Sequence, residues 1–354
     1  MIDAIVKEVR LNPNPRSTMS SGRSSLAGEG NIETLYFGGG TPSILDTNEL
    51  TRIIEALNQQ FVFAPDIEIT LEANPDDISV KKLVEWRSVG INRLSVGIQS
   101  FDDEELQWMN RAHTAEESLQ CIDKIFEAGF TNFSADLIYG SPLLTDDNWN
   151  RNLDMVIDKN IPHISCYALT VEPKTALDKM IALKKTAPVD AEKQARQFVS
   201  LMERMETAGY DHYEISNFAS PGMRSRHNSS YWQNKTYFGF GPSAHSFDGN
   251  SRKWNIANNA LYIRSIQKGM IPFEEEVLTA TQKLNEYIMT ALRTMEGLDL
   301  DRVRENFGIE CKNKLEVGSS KWQVGGKILL QDSKLILTKE GKLFADGIAS
   351  DLFF

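Results

Sequence analysis

Residues 32–43 read IETLYFGGGTPS. The first half is a run of apolar and β-branched residues suited to a strand. The second half stops it with three glycines, a threonine and a proline. Consecutive glycines give up side-chain packing and are entropically costly to order, so either a neighbour approaches this backbone closely or the turn needs dihedrals that other residues resist. Strand-like runs of the same kind recur at 67–73 (IEITLEA), 93–99 (RLSVGIQ), 132–139 (NFSADLIY), 163–169 (HISCYAL) and, less regularly, 210–216 (YDHYEIS). Between them lie segments with helical spacing and good caps, such as NELTRIIEALNQQF (48–61), SVKKLVEWRSVG (79–90), TAEESLQCIDKIFEAGF (114–130), TDDNWNRNLDMVIDK (145–159) and VDAEKQARQFVSLMERMETAG (189–209). Alternating units of this type imply parallel strands covered by helices.

Polar residues collect at the ends of successive strands: Gly38, Gly39, Gly40 and Thr41 after the first, Glu72 and Asn74 on the second, Gln99 and Ser100 after the third, Asp136 on the fourth, Tyr167 and Ala168 on the fifth. In a βα barrel, chemistry sits where strands end and βα loops begin. The pattern therefore predicts an α/β fold of the barrel or partial-barrel type rather than an open doubly wound sheet.

The ends of the chain read differently. Residues 2–11 have helical spacing, and 12–30 have the Pro-, Ser- and Gly-rich composition of a linker. From about Ala280 two helices, a further helix, short strands with turns and a closing helix resemble a winged-helix layout. The expected division is 1–30 as helix and linker, 31–250 as the barrel, and 251–354 as a C-terminal α+β domain. Between them, Tyr213–Phe247 holds His227, His245, many aromatics and the run GFGPSAH (239–245). It reads either as a long packing loop or as a loop facing a flat apolar cofactor, because histidine is a common haem ligand.

The 354 residues carry a net charge of −11 and an ordinary apolar fraction of 41%. That balance argues against a nucleic-acid binder, which needs clustered Lys and Arg. No stretch approaches the roughly 18 apolar residues of a membrane span, and the first residues lack a signal-peptide core. The three cysteines, Cys121, Cys166 and Cys311, are far apart and lack metal-ligand spacing, so buried thiols and a cytoplasmic location are expected.

The motifs YFGGGTPS, TLEANPDD, LSVGIQSFDDEELQWMNRAHT, SADLIYGSP, YEISNFASPG, RHNSSYW and GFGPSAHSF together resemble the HemN/HemW group of radical S-adenosylmethionine (SAM) proteins. The resemblance implies a partial (βα) barrel with a C-terminal helical, winged-helix-like domain. HNSSYW (227–232) is similar to the HNxxYW haem motif of the haem-chaperone branch, implying a protein that binds haem and passes it to haem-accepting proteins; a homodimer is a further expectation. The alternative is an oxygen-independent coproporphyrinogen III oxidase, and a third reading is a catalytically silent binding protein working through its C-terminal domain. By motif position, Gly38, Gly39, Gly40, Thr41 and Glu72 would hold SAM. Gln99, Arg111, Asp136 and Ala168 match positions for a second SAM in the oxidases. His227 would be the haem ligand, with Asn228, Tyr231 and Trp232 as motif neighbours. The sequence has no CxxxCxxC for the family's [4Fe-4S] cluster. The expectation is a truncated form, with a natural cluster-less variant that keeps only haem or partner binding as the alternative; the barrel then misses its first strand, leaving 32–37 as an exposed edge, and the glycine loop binds SAM weakly or not at all.

Overall fold

The computed structural model describes residues 1–12 and 31–354, so the linker read over 12–30 lies, apart from Asn12, outside the described residues. Strands β1 (Ile32–Phe37), β2 (Phe63–Ala73), β3 (Arg93–Gln99), β4 (Phe133–Tyr139) and β5 (His163–Ala168) are parallel neighbours in chain order. The sheet curls into a half-barrel of seven strands. Helices α2 (Thr47–Gln60), α3 (Val80–Ser88), α4 (Asp103–Trp108), α5 (Ala115–Glu127) and α6 (Asp146–Asp158) make the crossovers, and α7 (Ala176–Ala182) and α8 (Ala191–Thr207) follow β5. Local chemistry starts these helices where the sequence places them: Asp46 with Glu49 and Thr114 with Glu117 form reciprocal capping boxes, and Ser79 and Thr145 cap α3 and α6.

Alternation along the strands separates two faces. Ile69, Leu71, Leu94, Val96, Ile98, Ala135, Leu137 and Ile164 join the buried core under the helices. The other face carries Glu68, Thr70, Glu72, Arg93, Ser95, Ser134, Asp136, His163 and Ser165, so the inside of the half-barrel is polar while its wall is apolar.

One strand assignment differs from the sequence reading. Of 210–216 only β6 (Asp211–Glu214) is a strand, and it does not continue the parallel series. It turns back through Ile215 and Ser216 into β7 (Asn217–Ala219), which pairs antiparallel with both β5 and β6. Two connecting residues allow only a hairpin, because a parallel neighbour needs a long crossover. At the opposite end β1 is the edge strand among the described residues, as expected. Its inner face is nevertheless covered by α9 (Arg226–Trp232), a helix in the segment read as a loop.

Beyond α9, β8 (His245–Phe247), β9 (Ser251–Asn255) and β10 (Phe273–Val277) form a small antiparallel sheet, with α10 (Asn259–Gln267) between the last two strands. Helix α1 (Ile2–Leu11) packs against α2 and α10. Its Glu8 is buried and accepts hydrogen bonds from Gly241 N (2.8 Å), Asn255 Nδ2 (2.6 Å) and Tyr262 Oη (2.5 Å). The glycine-rich run 239–245 is thus part of a structural seam and lines neither cleft described below.

The C-terminal body has its own core, built by α11 (Ala280–Leu292), β11 (Leu298–Asp299), α12 (Leu300–Phe307), α13 (Ile309–Val324), the β12 (Ile328–Gln331) and β13 (Lys334–Leu337) hairpin, α14 (Lys339–Lys342) and α15 (Ala345–Asp351). This is the helices-then-hairpin order expected. Polar contacts tie it to the half-barrel: Lys342 Nζ meets His212 Nδ1 at 2.9 Å, and Arg293 Nε donates to the buried Glu214 at 3.0 Å. Among the described residues no helix is long and apolar enough to cross a membrane.

Candidate functional site

The glycine loop closes over the end of β2. Glu72 accepts a hydrogen bond from Tyr36 Oη at 2.7 Å and one from Gly39 N at 3.2 Å. A Cβ on Gly38 would stand 2.5 Å from Tyr36 Cε1 and 2.9 Å from Glu72 Oε1, so this glycine is required by the chain's own packing. Gly39 and Gly40 are required for a different reason. Their φ values are +73° and +102°, where L side chains are strained, and nothing lies within 4 Å of where their Cβ atoms would be. The loop is a shaped backbone concavity with open space in front of it, and Thr41 follows it half-buried.

Two clefts lie along the inner face and share Tyr167. The first, about 340 Å³, is lined by Gln99, Asp136 and Ala168 with Ile138, Leu169 and Thr170. Gln99 ends β3 at φ +68°, next to a break in register with β4 that turns its side chain over the strand. Arg111 Nη2 donates to Asn74 Oδ1 (2.9 Å) and Gly97 O (3.1 Å), held across the top of β3. Asp136 accepts from Ser95 Oγ at 3.2 Å, and its Oδ1 is sealed from solvent without a hydrogen bond of acceptable geometry. Burial, only partly offset by the Ser165 and Ser95 hydroxyls, pushes its carboxyl up to about 6. Four residues assigned by motif to one ligand therefore stand at one end of three adjacent strands, three of them around one cleft.

The second cleft, about 360 Å³, is lined by Asn228, Tyr231 and Trp232 together with Glu214, Asn217 and Arg293. Arg293 lies 5.4 Å over the Trp232 ring and bridges Glu214 to Asp346 of α15, so this cleft joins half-barrel, α9 and C-terminal body. His227 stands on the other flank of α9 and lines neither cleft. Its Nδ1 shares a hydrogen bond with Thr34 Oγ1 at 2.9 Å. Its ring stacks on Tyr36 (4.7 Å between centroids, 16° between planes) and meets Tyr231 edge-on at 5.1 Å. Burial, reinforced by the positive charge of Arg93, brings its pKa down to about 4. A neutral imidazole with Nδ1 engaged can offer Nε2 to a metal.

Thr34, Tyr36, Glu68 and Arg93, which surround His227 and the glycine loop, are not among the site residues named from the sequence, although Tyr36 opens the motif YFGGGTPS. A signal for Glu68 exists along β2, where polar residues alternate at 68, 70, 72 and 74 against apolar ones. The cysteines offer no cluster. Cys121 lies in α5, Cys166 in β5 and Cys311 in α13, and burial pushes Cys121 up to about 12 and Cys166 well above its usual value. No group of three His, Cys, Asp or Glu among the described residues could hold a metal ion. The described residues therefore do not fit a [4Fe-4S] cluster, whereas the open glycine loop beside Glu72 fits a small polar ligand.

The parallel half-barrel with its glycine loop is of the radical SAM class, and the helix-and-hairpin body is a separate C-terminal domain. Residues 24–156 match the radical SAM superfamily and 278–344 the HemN C-terminal domain. The fold is shared with the solved structure of coproporphyrinogen III oxidase (HemN) from Escherichia coli, at a TM-score of 0.81 and 22% identity over 99% of this chain and 82% of that one. The sequence is 32% identical to the heme chaperone HemW of Bacillus subtilis over 91% of this chain and 85% of that protein. It is 31% identical to the Mycobacterium tuberculosis heme chaperone HemW over 91% of this chain and 80% of that protein. This chain belongs to the HemW family.

Proposed function

We propose that this protein binds haem through His227 Nε2 and hands it to haem-accepting proteins. The observation that carries the reading is the His227 imidazole itself: oriented by Thr34 at Nδ1, clamped by Tyr36 and Tyr231, and held neutral. Of its motif neighbours, Tyr231 meets the imidazole edge-on and offers an aromatic surface suited to a macrocycle, while Asn228 and Trp232 line the cleft on the other flank of α9. The names of the Bacillus and Mycobacterium relatives support the same cargo. SAM is the second ligand of the proposal, with Gly38, Gly39, Gly40, Thr41 and Glu72 as its holders, Gln99, Asp136 and Ala168 around the first cleft, and Arg111 across the top of β3 beside them. When bound, SAM supplies the family's radical chemistry. The described residues supply no cluster to drive it.

Hemin titrated into the protein should produce the Soret band of a histidine-ligated haem. In His227→Ala that band should be lost and affinity should fall on the order of 100-fold, the upper end of the roughly 10–100-fold typical of outer-shell changes. An unchanged spectrum in the variant would remove His227 as the ligand.

The depressed pKa adds a pH signature. An ordinary histidine, near 6.5, starts to lose a metal to protons below that pH, whereas His227 stays neutral to about pH 4. Hemin affinity should therefore stay level from about pH 8 down to about pH 5. The same group makes folding easier above 6.5, and that contribution is lost as pH falls from 6.5 toward 4, since the unfolded chain takes up the proton first. Affinity that halves near pH 6.5 in step with a free imidazole would contradict the buried geometry.

A further inference from the structure

We propose that Glu68 is a positioning residue that sets where α9 presents His227. The inference rests on the proposed role of His227 as the haem ligand. Glu68 points from the middle of β2 into the half-barrel and is 4% exposed. Its Oε1 accepts from the backbone N–H of His227 at 3.0 Å, and its Oε2 from that of Arg226 at 3.2 Å. Beneath it Arg93, 1% exposed, brings its Nε to 4.0 Å from Oε2.

Helix α9 has seven residues, about two turns, too short to hold its own conformation in water. Its direction must come from tertiary contacts, and three of these gather at the first turn. Ser225, fully buried, caps Asn228 N at 3.2 Å; the Arg226 guanidinium reaches Asp66 O at 2.6 Å; and Glu68 takes two of the backbone donors that the helix cannot satisfy itself. Of these three, only Glu68 bonds the backbone N–H of the histidine. Because Thr34 on β1 fixes the ring and Glu68 on β2 fixes the main chain, the imidazole is referenced to the first two strands of the sheet. Arg93 faces the carboxylate from β3, so the grip is itself braced by a third strand.

The test is a hemin titration of the full chain carrying Glu68→Ala, Glu68→Gln, His227→Ala and each Glu68 change combined with His227→Ala. Affinity, Soret position and the electron paramagnetic resonance signature of axial histidine ligation are read alongside thermal melts. Glu68→Ala should weaken hemin binding about ten-fold and broaden or shift the axial signature. Glu68→Gln, which keeps one acceptor, should recover part of that loss. On the His227→Ala background neither change should weaken binding further, because the two residues act through one contact. Should Glu68→Ala fail to fold, the Gln series carries the same non-additivity. Wild-type affinity and signature in Glu68→Gln and Glu68→Ala, or a loss that adds in full to that of His227→Ala, would overturn the proposal. If His227→Ala itself leaves the spectrum unchanged, the haem-ligand reading fails first, and this inference with it.

Discussion

Glu8→Ala is expected to cost about 4 kcal/mol of folding stability, a large share of the roughly 5–15 kcal/mol a domain holds. The carboxylate receives Gly241 N, Asn255 Nδ2 and Tyr262 Oη in a site that water does not reach. Truncation strands all three donors, each worth about 1–3 kcal/mol when buried unpaired, with incomplete additivity. Glutamine should cost less, about 1–2 kcal/mol. Its oxygen can replace Oε2 toward Gly241 and Tyr262, but its amide then faces the Asn255 donor. Burial raises the Glu8 pKa, so the folded state favours its proton and this contribution weakens as pH rises above the ordinary carboxylate range. Denaturant melts of the three proteins at neutral pH decide the matter. A Glu8→Ala midpoint indistinguishable from wild type would show that α1 is not anchored at this seam.

Asp136→Asn is expected to stabilise the protein at neutral pH and to do nothing near pH 4. The Asp136 carboxyl is pushed from 3.8 up to about 6 by burial on the half-barrel's inner face. Between those values the folded state binds more protons than the unfolded one, so stability falls as pH rises through that window and stays lowered above it. A shift of this size corresponds to roughly 2 kcal/mol once its partly open flank is allowed for. Asparagine removes the buried charge while keeping an acceptor for Ser95. Melting temperature against pH should lose its decline between about pH 4 and pH 6 in the variant. A variant less stable than wild type at pH 7 would mean that the charge is compensated in the folded chain. A group that costs stability where it stands is characteristic of a ligand-binding position.

The glycine loop shows how far sequence reading reached. Three glycines after a strand signalled a special backbone, and the structure divides them: Gly39 and Gly40 for positive φ, Gly38 for the nearness of Tyr36 and Glu72. The first part is local and legible; the second needs the neighbouring strand. The motif residues Gln99, Asp136 and Ala168 do meet around one cleft. His227 was readable as a residue type, but its segment was read as a loop. Seven residues with apolar and polar positions mixed give too weak a periodicity to declare a helix that tertiary contacts hold in place.

What the sequence by itself determined is whatever acts over short range: the parallel βα succession from period-2 and period-3.6 patterning, the helix starts from their capping residues, and the strand-end clustering of polar groups. What only the tertiary structure decided is whatever depends on residues distant along the chain. That includes the hairpin of β6 and β7 closing the sheet, the burial of Glu8 against Gly241, Asn255 and Tyr262, and the grip of Glu68 on the backbone of His227, which lies 159 positions away. A buried carboxylate and an exposed one are the same letter in a sequence. Their difference lies in which donors the fold brings within about 3 Å and whether water is excluded, and both are properties of the packed chain.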